Sequence, residues 1–139
     1  MHPIQQGFSG HVPMLFKTKF PKARILEQNG WCDVLESVKS NTVKEVKEET
    51  GLDARAVRLI AVQDRNKHNL PAYAYGICKI FVLCDVIGGA FTENSETTEI
   101  KYFSYDEIPN NLAGEKTNKK QIEMCFRAAA DKNWQVQFD

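Results

Sequence analysis

No run of apolar residues in this chain of 139 approaches the length of a membrane span, and nothing in it resembles a cleavable leader. A membrane partner is therefore not expected. Net charge is also missing: 18 Lys and Arg balance 18 Asp and Glu, which leaves no strongly basic face for nucleic acid. Cysteines are few, at 32, 78, 84 and 125, and none stands in a Cys-x-x-Cys pair; four could in principle form two disulfides. Cys78 and Cys84 fall on the same side of an apolar stretch that reads as a strand, as reduced core thiols would. A cytoplasmic location follows from that usage. Repeats, low-complexity tracts and linkers are absent, and the length suits one domain over 1–139 with a real core.

What is present is concentrated in residues 30–52, GWCDVLESVKSNTVKEVKEETGL. Glu45, Glu48 and Glu49 are spaced i, i+3 and i+4, so a helix projects all three from one face. Like charges this close need counter-charge, and a divalent cation with oxygen preference is the natural partner. A Glu-rich helix alone is usually just a solvated face, here interleaved with Lys44 and Lys47. The flanks argue for more. Ser37 is a suitable N-cap, Val38, Val43 and Val46 make an inward stripe, and Gly51 can end the helix at positive φ. The expected helix runs over about 38–50. Glu36 precedes it, near the positive end of its dipole.

The segment resembles the Nudix box: a glycine, five residues, Glu, seven residues, Arg-Glu, an aliphatic, any residue, Glu-Glu, any residue, Gly and an aliphatic. Gly30, Glu36, Glu45, Glu48, Glu49 and Gly51 occupy its fixed positions, and Lys44 replaces the usual arginine. A chance match to six fixed positions is on the order of one in a hundred thousand per chain at ordinary residue frequencies. The resemblance implies an α/β/α sandwich around a mixed sheet, with Mg²⁺ or Mn²⁺ held by Glu45, Glu48 and Glu49. Gly30, Glu36, Lys44 and Gly51 would be supports, Lys44 through an ion pair weaker than a bidentate guanidinium. Residues beyond the box, from Gly30 to Asp139, look like bacterial hydrolases of X-linked nucleoside diphosphates: Asp64-Arg65-x-Lys67-His68, the Gly88-Gly89 turn, Ser95-Glu96-Thr97 and the 121–124 helix. The family often adds a glutamate outside the box as metal ligand or base. Glu96 is favoured slightly over Glu99. Trp31, Arg65 and His68 are candidates for substrate contact, against the plainer readings of a buried ring and a surface loop.

Along the rest of the chain, residues 1–11 read as loose, and Met14–Phe20 and Arg24–Glu27 as short strands. Strands are also expected at Ala56–Asp64, Tyr73–Ile87 and Glu99–Tyr105, with a loop at Asn66–Ala72. Thr117 is expected to cap a helix over about 118–131 with Ile122, Cys125, Phe126 and Ala129 inward. The tail 134–138 alternates as an extended piece. Only 29 residues precede Gly30, the box is entered through Gln28-Asn29, and Leu35 stands where relatives carry glycine. A shortened sheet would expose an edge that a second copy could cover through Met14, Leu15, Phe16 and Phe20, which makes a homodimer the expected closed form.

The functional expectation is a metal-dependent hydrolase that splits the diphosphate of a nucleoside diphosphate linked to X, ADP-ribose or CDP-choline in type. The products are a nucleoside monophosphate and phospho-X, and the general base is Glu45, Glu48 or Glu96. The alternative is a catalytically impaired module of the same fold that binds nucleotide or a protein partner. The intact carboxylates favour the enzyme; the unusual entry to the box favours the module.

Overall fold

The computed structural model describes residues 23–28, 35–93, 103, 105–108, 110, 112 and 117–139. In chain order these form β1 (Ala23–Gln28), α1 (Val38–Thr50), β2 (Leu52–Asp64), α2 (Arg65–His68), β3 (Cys78–Gly89), a 3-10 turn (Tyr105–Glu107), α3 (Lys119–Ala130) and β4 (Gln137–Phe138). The described strands make one mixed sheet in the order β1-β3-β2-β4. β1 and β2 flank β3 antiparallel, and β4 adds parallel to β2. Of the expected strand at Glu99–Tyr105, Phe103 has no regular structure and Tyr105 opens the 3-10 turn, while its other residues lie outside the described ones, as does the expected strand at Met14–Phe20. So does the proposed dimer-forming segment around Met14–Phe20.

β3 is central because its sequence can be buried on both sides. Phe81, Val82, Leu83 and Cys84 are four consecutive buried residues, and since side chains alternate along a strand, both faces of the sheet must be covered. α1 covers one face, its first turn (Val38, Lys39) bordering a cavity shared with Ala56, Leu59 and Val82. α3 covers the other, where Gln121 and Met124 meet Gln63. Val82 pairs with Leu59 and Lys79 with Gln63, an odd separation on β3, so these contacts fall on opposite faces. The result is an α/β/α sandwich, as expected. Three register shifts in the β2–β3 ladder twist the pair without breaking it.

Several boundaries differ from expectation, each for a local reason. β2 starts at Leu52, four residues early, because Gly51 turns the chain directly out of α1 into the sheet. β3 starts at Cys78 and not at Tyr73. Residues 69–77 instead wrap around Arg65, which is 1% exposed. Its guanidinium donates to the Pro71 carbonyl and to Asn66 Oδ1 (3.1 Å) and lies 3.4 Å from the centre of the Tyr73 ring. The expected loop from Asn66 opens as the single turn α2, capped by Asp64. α3 is capped by Asn118 and not Thr117: Asn118 Oδ1 accepts from Gln121 N and Gln121 Oε1 from Asn118 N, both at 2.9 Å. Thr117 is buried. Ile122, Cys125 and Ala129 face inward as expected, and Phe126 is partly buried edge-on to Tyr105.

Cys84 and Cys125 are buried, whereas Cys78 is exposed. Burial, with a smaller contribution from the neighbouring Asp85 carboxylate, pushes the Cys84 thiol up to about 12. The neutral thiol is what the fold accepts, so this contribution to stability is complete below pH ~9 and declines as pH rises from there towards 12. Iodoacetamide at pH 8 should therefore modify Cys78 in native protein and reach Cys84 and Cys125 only after unfolding. Native labelling of Cys84 at the rate of Cys78, read by peptide mass spectrometry, would contradict this packing.

Candidate active site

α1 spans Val38–Thr50, as its sequence requires, and is closed at both ends. Ser37 Oγ accepts from Ser40 N at 3.0 Å while Ser40 Oγ accepts from Ser37 N at 2.9 Å. At the other end Gly51 sits at φ 80° and its N–H donates to Lys47 O at 2.9 Å. The inward stripe is only partly aliphatic. Val46 is buried and Val43 half-buried, but Val38, expected on this stripe, is 41% exposed at the helix start. Asn41, Thr42 and Thr50 fill the buried face instead. The threonine hydroxyls donate back to their own helix, Thr42 to Val38 O at 2.7 Å and Thr50 to Val46 O at 2.6 Å. That satisfies them without water.

Leu35, just before the helix, adopts φ 72° with its side chain fully exposed. A left-handed leucine costs roughly 1–2 kcal/mol, and here no packing offsets it. Leu35→Gly is expected to raise stability by up to about 1 kcal/mol, the larger unfolded-state entropy of glycine offsetting part of the relief. Chemical denaturation measures it, and a loss of stability would show that Leu35 is held by contacts of its own.

The three carboxylates do not form a uniform solvated face. Glu49 is 4% exposed, Glu45 half-buried and Glu48 exposed. They descend across the helix from its sheet side to solvent. Lys44 Nζ stands 3.8 Å from Glu48 Oε1, an i, i+4 pair with both side chains about half exposed. Screening makes such a pair weak, a restraint on Glu48 more than a source of stability. Glu36, Lys44 and Glu48 line one open cleft of about 840 Å³, together with the apolar Val43, Ala54 and Ile87 and with Lys47 and Asp53. Glu45 and Glu49 lie outside this lining, on the adjoining flank of the helix.

The donor set fits a hard divalent cation: three carboxylates within little more than one turn, one of them buried, on a helix that carries no His or Cys. Among the described residues no three His, Cys, Asp or Glu side chains converge tightly enough to cage an ion. Magnesium does not require a protein cage, since it keeps several waters and binds through one or two carboxylates plus substrate phosphates.

The other sequence candidates divide. Gly30, Trp31 and Glu96, with Glu99, lie outside the described residues. Arg65 and His68 lie beyond the far end of β2 from Gly51, away from the cleft. Arg65 is committed to its own loop as described above, and His68 Nε2 pairs with the Asp139 carboxylate at 3.1 Å. Sequence reasoning missed Lys47 and Asp53. Lys47 Nζ donates to Asp53 Oδ1 (2.9 Å) and Gly51 O (3.2 Å), tying the last turn of α1 to the first residues of β2. The available signal was an acid placed two residues after the helix-ending glycine.

Comparison with known proteins agrees with this geometry. The crystal structure of an ADP-ribose pyrophosphatase from Streptococcus suis 89-1591 is 44% identical, with a TM-score of 0.69 over 79% of this chain and 78% of that one. The crystal structure of a UDP-X diphosphatase is 28% identical, also at TM-score 0.69, over 88% of this chain and 64% of that one. A Bacillus subtilis (strain 168) protein named "Putative ADP-ribose pyrophosphatase YjhB" is 36% identical over 97 residues, 70% of this chain. This chain spans 46% of the length of that relative. One family model, described as the Alpha-N-acetylglucosaminidase (NAGLU) tim-barrel domain, matches residues 1–55, less than half of the chain. A barrel of that kind is built from parallel strands, whereas β1 and β2 both run antiparallel to β3. A capped box helix against a mixed sheet defines a Nudix domain, and the chain belongs to the Nudix hydrolase family.

Proposed function

We propose that the protein is a Mg²⁺- or Mn²⁺-dependent hydrolase acting on a nucleoside diphosphate linked to X, of the ADP-ribose or CDP-choline type, releasing a nucleoside monophosphate and phospho-X. The observation that carries this reading is the graded stripe Glu45, Glu48, Glu49 on a helix fixed at both caps. The 44% identical relative named as an ADP-ribose pyrophosphatase supports the substrate class. Glu45, Glu48 and Glu49 would hold the cation. When bound there, it supplies charge neutralisation for the diphosphate and lowers the pKa of a coordinated water.

The chain's own residues do the rest. Glu49, buried, gives a carboxylate whose direction is set by packing. Glu48 is exposed at the cleft, which supports it as the group that accepts a proton from an attacking water. Glu96 shares that role in this proposal. Lys44 restrains Glu48 and adds positive charge to the cleft where phosphate oxygens would lie. A panel of nucleoside diphosphate derivatives with Mg²⁺, read by monophosphate release, tests the reading. Binding without turnover across the panel would favour the impaired module instead.

Lys44→Arg should retain or improve activity, because a guanidinium can engage a carboxylate with two parallel bonds. Lys44→Ala should lower kcat by roughly 3- to 10-fold while leaving the fold intact, as expected for a half-exposed support. Unchanged kinetics for Lys44→Ala would remove the supporting role.

A further inference from the structure

The carboxylates of α1 are only as well placed as the end of the helix that carries them, and that end is fixed by a residue outside the box. Gly89, at the end of β3, sits at φ 78° against the segment where α1 becomes β2. A Cβ there would fall 2.5 Å from Gly51 O, 2.9 Å from Asp53 N and 3.0 Å from Leu52 Cα. All three are backbone atoms, which have no flexible end to swing away. The fit is reciprocal, since a Cβ on Gly51 would collide with the Ala90 carbonyl. Three residues on, Thr92 N donates to Thr50 O at 3.0 Å, satisfying a carbonyl in the last turn of α1. Leu52 N closes onto Thr50 Oγ1 at 3.1 Å.

We propose that Gly89 is a positioning residue for the metal-binding carboxylates. Its missing side chain lets β3 approach the Gly51 backbone closely enough to set the height of α1 on the sheet, and with it the placement of Glu48 and Glu49. The inference rests on the proposed role of α1 in holding a divalent cation. Glu48 and Glu49 lie only three and two residues before Gly51, so a displacement there reaches them undamped through a rigid helical turn. Gly88 is the internal control. A Cβ at that position meets nothing closer than Asp53 Oδ2 at 3.4 Å, an ordinary contact with a side chain.

The test compares Gly89→Ala, Gly89→Asn and Gly88→Ala with wild type by Mn²⁺ titration (electron paramagnetic resonance of free ion), steady-state kinetics and circular dichroism at a temperature where all are folded. Gly89→Ala is expected to weaken Mn²⁺ binding about tenfold or more and to lower kcat with little change in KM for the nucleotide, partly recovered by excess metal. Gly89→Asn tolerates positive φ but keeps the collision, so it should share the defect; Gly88→Ala should match wild type. A folded Gly89→Ala or Gly89→Asn protein with wild-type Mn²⁺ affinity and kcat overturns the proposal while leaving the hydrolase reading intact. Should neither Gly89 variant fold, Thr92→Pro loosens the same seam by removing the N–H that bonds Thr50 O, while also fixing φ at 92, and the same two readouts decide in the same way. A wild-type protein that binds no Mn²⁺ refutes the metal reading of α1 and this inference with it.

Discussion

Glu49→Gln should leave a folded protein whose metal-dependent hydrolysis is reduced by about 100-fold or more, with the loss in kcat and metal affinity and not in nucleotide KM. The size follows from position. Glu49 is 4% exposed, so its carboxylate is oriented by surrounding packing and cannot be replaced by a mobile neighbour. The amide is nearly isosteric, so no cavity is created. It cannot offer a negative charge to a cation, and its NH2 turns one ligand oxygen into a donor. Glu48→Gln should also be severely impaired, but it is exposed and its removal relieves little strain. Like-charge repulsion along the stripe predicts that either variant is at least as stable as wild type without metal, and less stabilised than wild type when Mg²⁺ is added. Thermal shifts with and without Mg²⁺, and turnover in excess chelator, check both halves. Full wild-type turnover in Glu49→Gln, or in chelator, would end the metal-ligand assignment.

The second large effect concerns stability. Gln121→Leu is expected to cost about 3–5 kcal/mol, although it puts an apolar side chain of similar volume at a position the helix buries. Gln121 Nε2 donates to Gln63 Oε1 at 2.9 Å and to Asn69 Oδ1 at 2.8 Å. Its Oε1 accepts from Asn69 Nδ2 and Asn118 N, both at 2.9 Å. Leucine would strip partners from groups on β2, on the segment after α2 and at the cap of α3 at once. A buried polar group that loses its partner costs about 1–3 kcal/mol, which sets the estimate. For a domain of this size the melting temperature should fall by more than about 10 °C. The cleft beside α1 lies on the other face of the sheet, so metal affinity below the melting point should be unchanged. A loss under 1 kcal/mol in chemical denaturation would show that Gln63 and Asn69 re-pair without it.

The box helix was legible to the residue because every determinant is local. A Ser37 cap, a 3.6-residue pattern and a glycine at Gly51 specify where the hydrogen-bond ladder starts and stops. Leu35 was singled out only by comparison, since relatives carry glycine there; its backbone takes the positive φ that a glycine would favour. The short piece read at Arg24–Glu27 is β1, and the core of β3 was read correctly from its apolar run. The errors lie where side chains bind distant backbone. Tyr73–Ile77 has strand composition, yet Arg65 draws that stretch into a loop through the Pro71 carbonyl, Asn66 and the Tyr73 ring. Asn118 takes the cap from Thr117, although both are acceptable cap residues in isolation, because the reciprocal bond needs a partner at Gln121 in the same geometry.

By itself, the sequence determined a Nudix helix with Glu45, Glu48 and Glu49 within little more than one turn and a mixed sheet to carry it. Spacing along one helix and composition are properties of the chain alone. Only the tertiary structure decided that these carboxylates grade from buried to exposed, that Arg65 and His68 stand away from them, and that Gly89 meets the helix end at Gly51. Burial and close approach depend on which strand lies beneath which helix, and the β2–β3 register that sets this joins residues up to 37 positions apart, from Leu52 to Gly89. No local pattern encodes that distance.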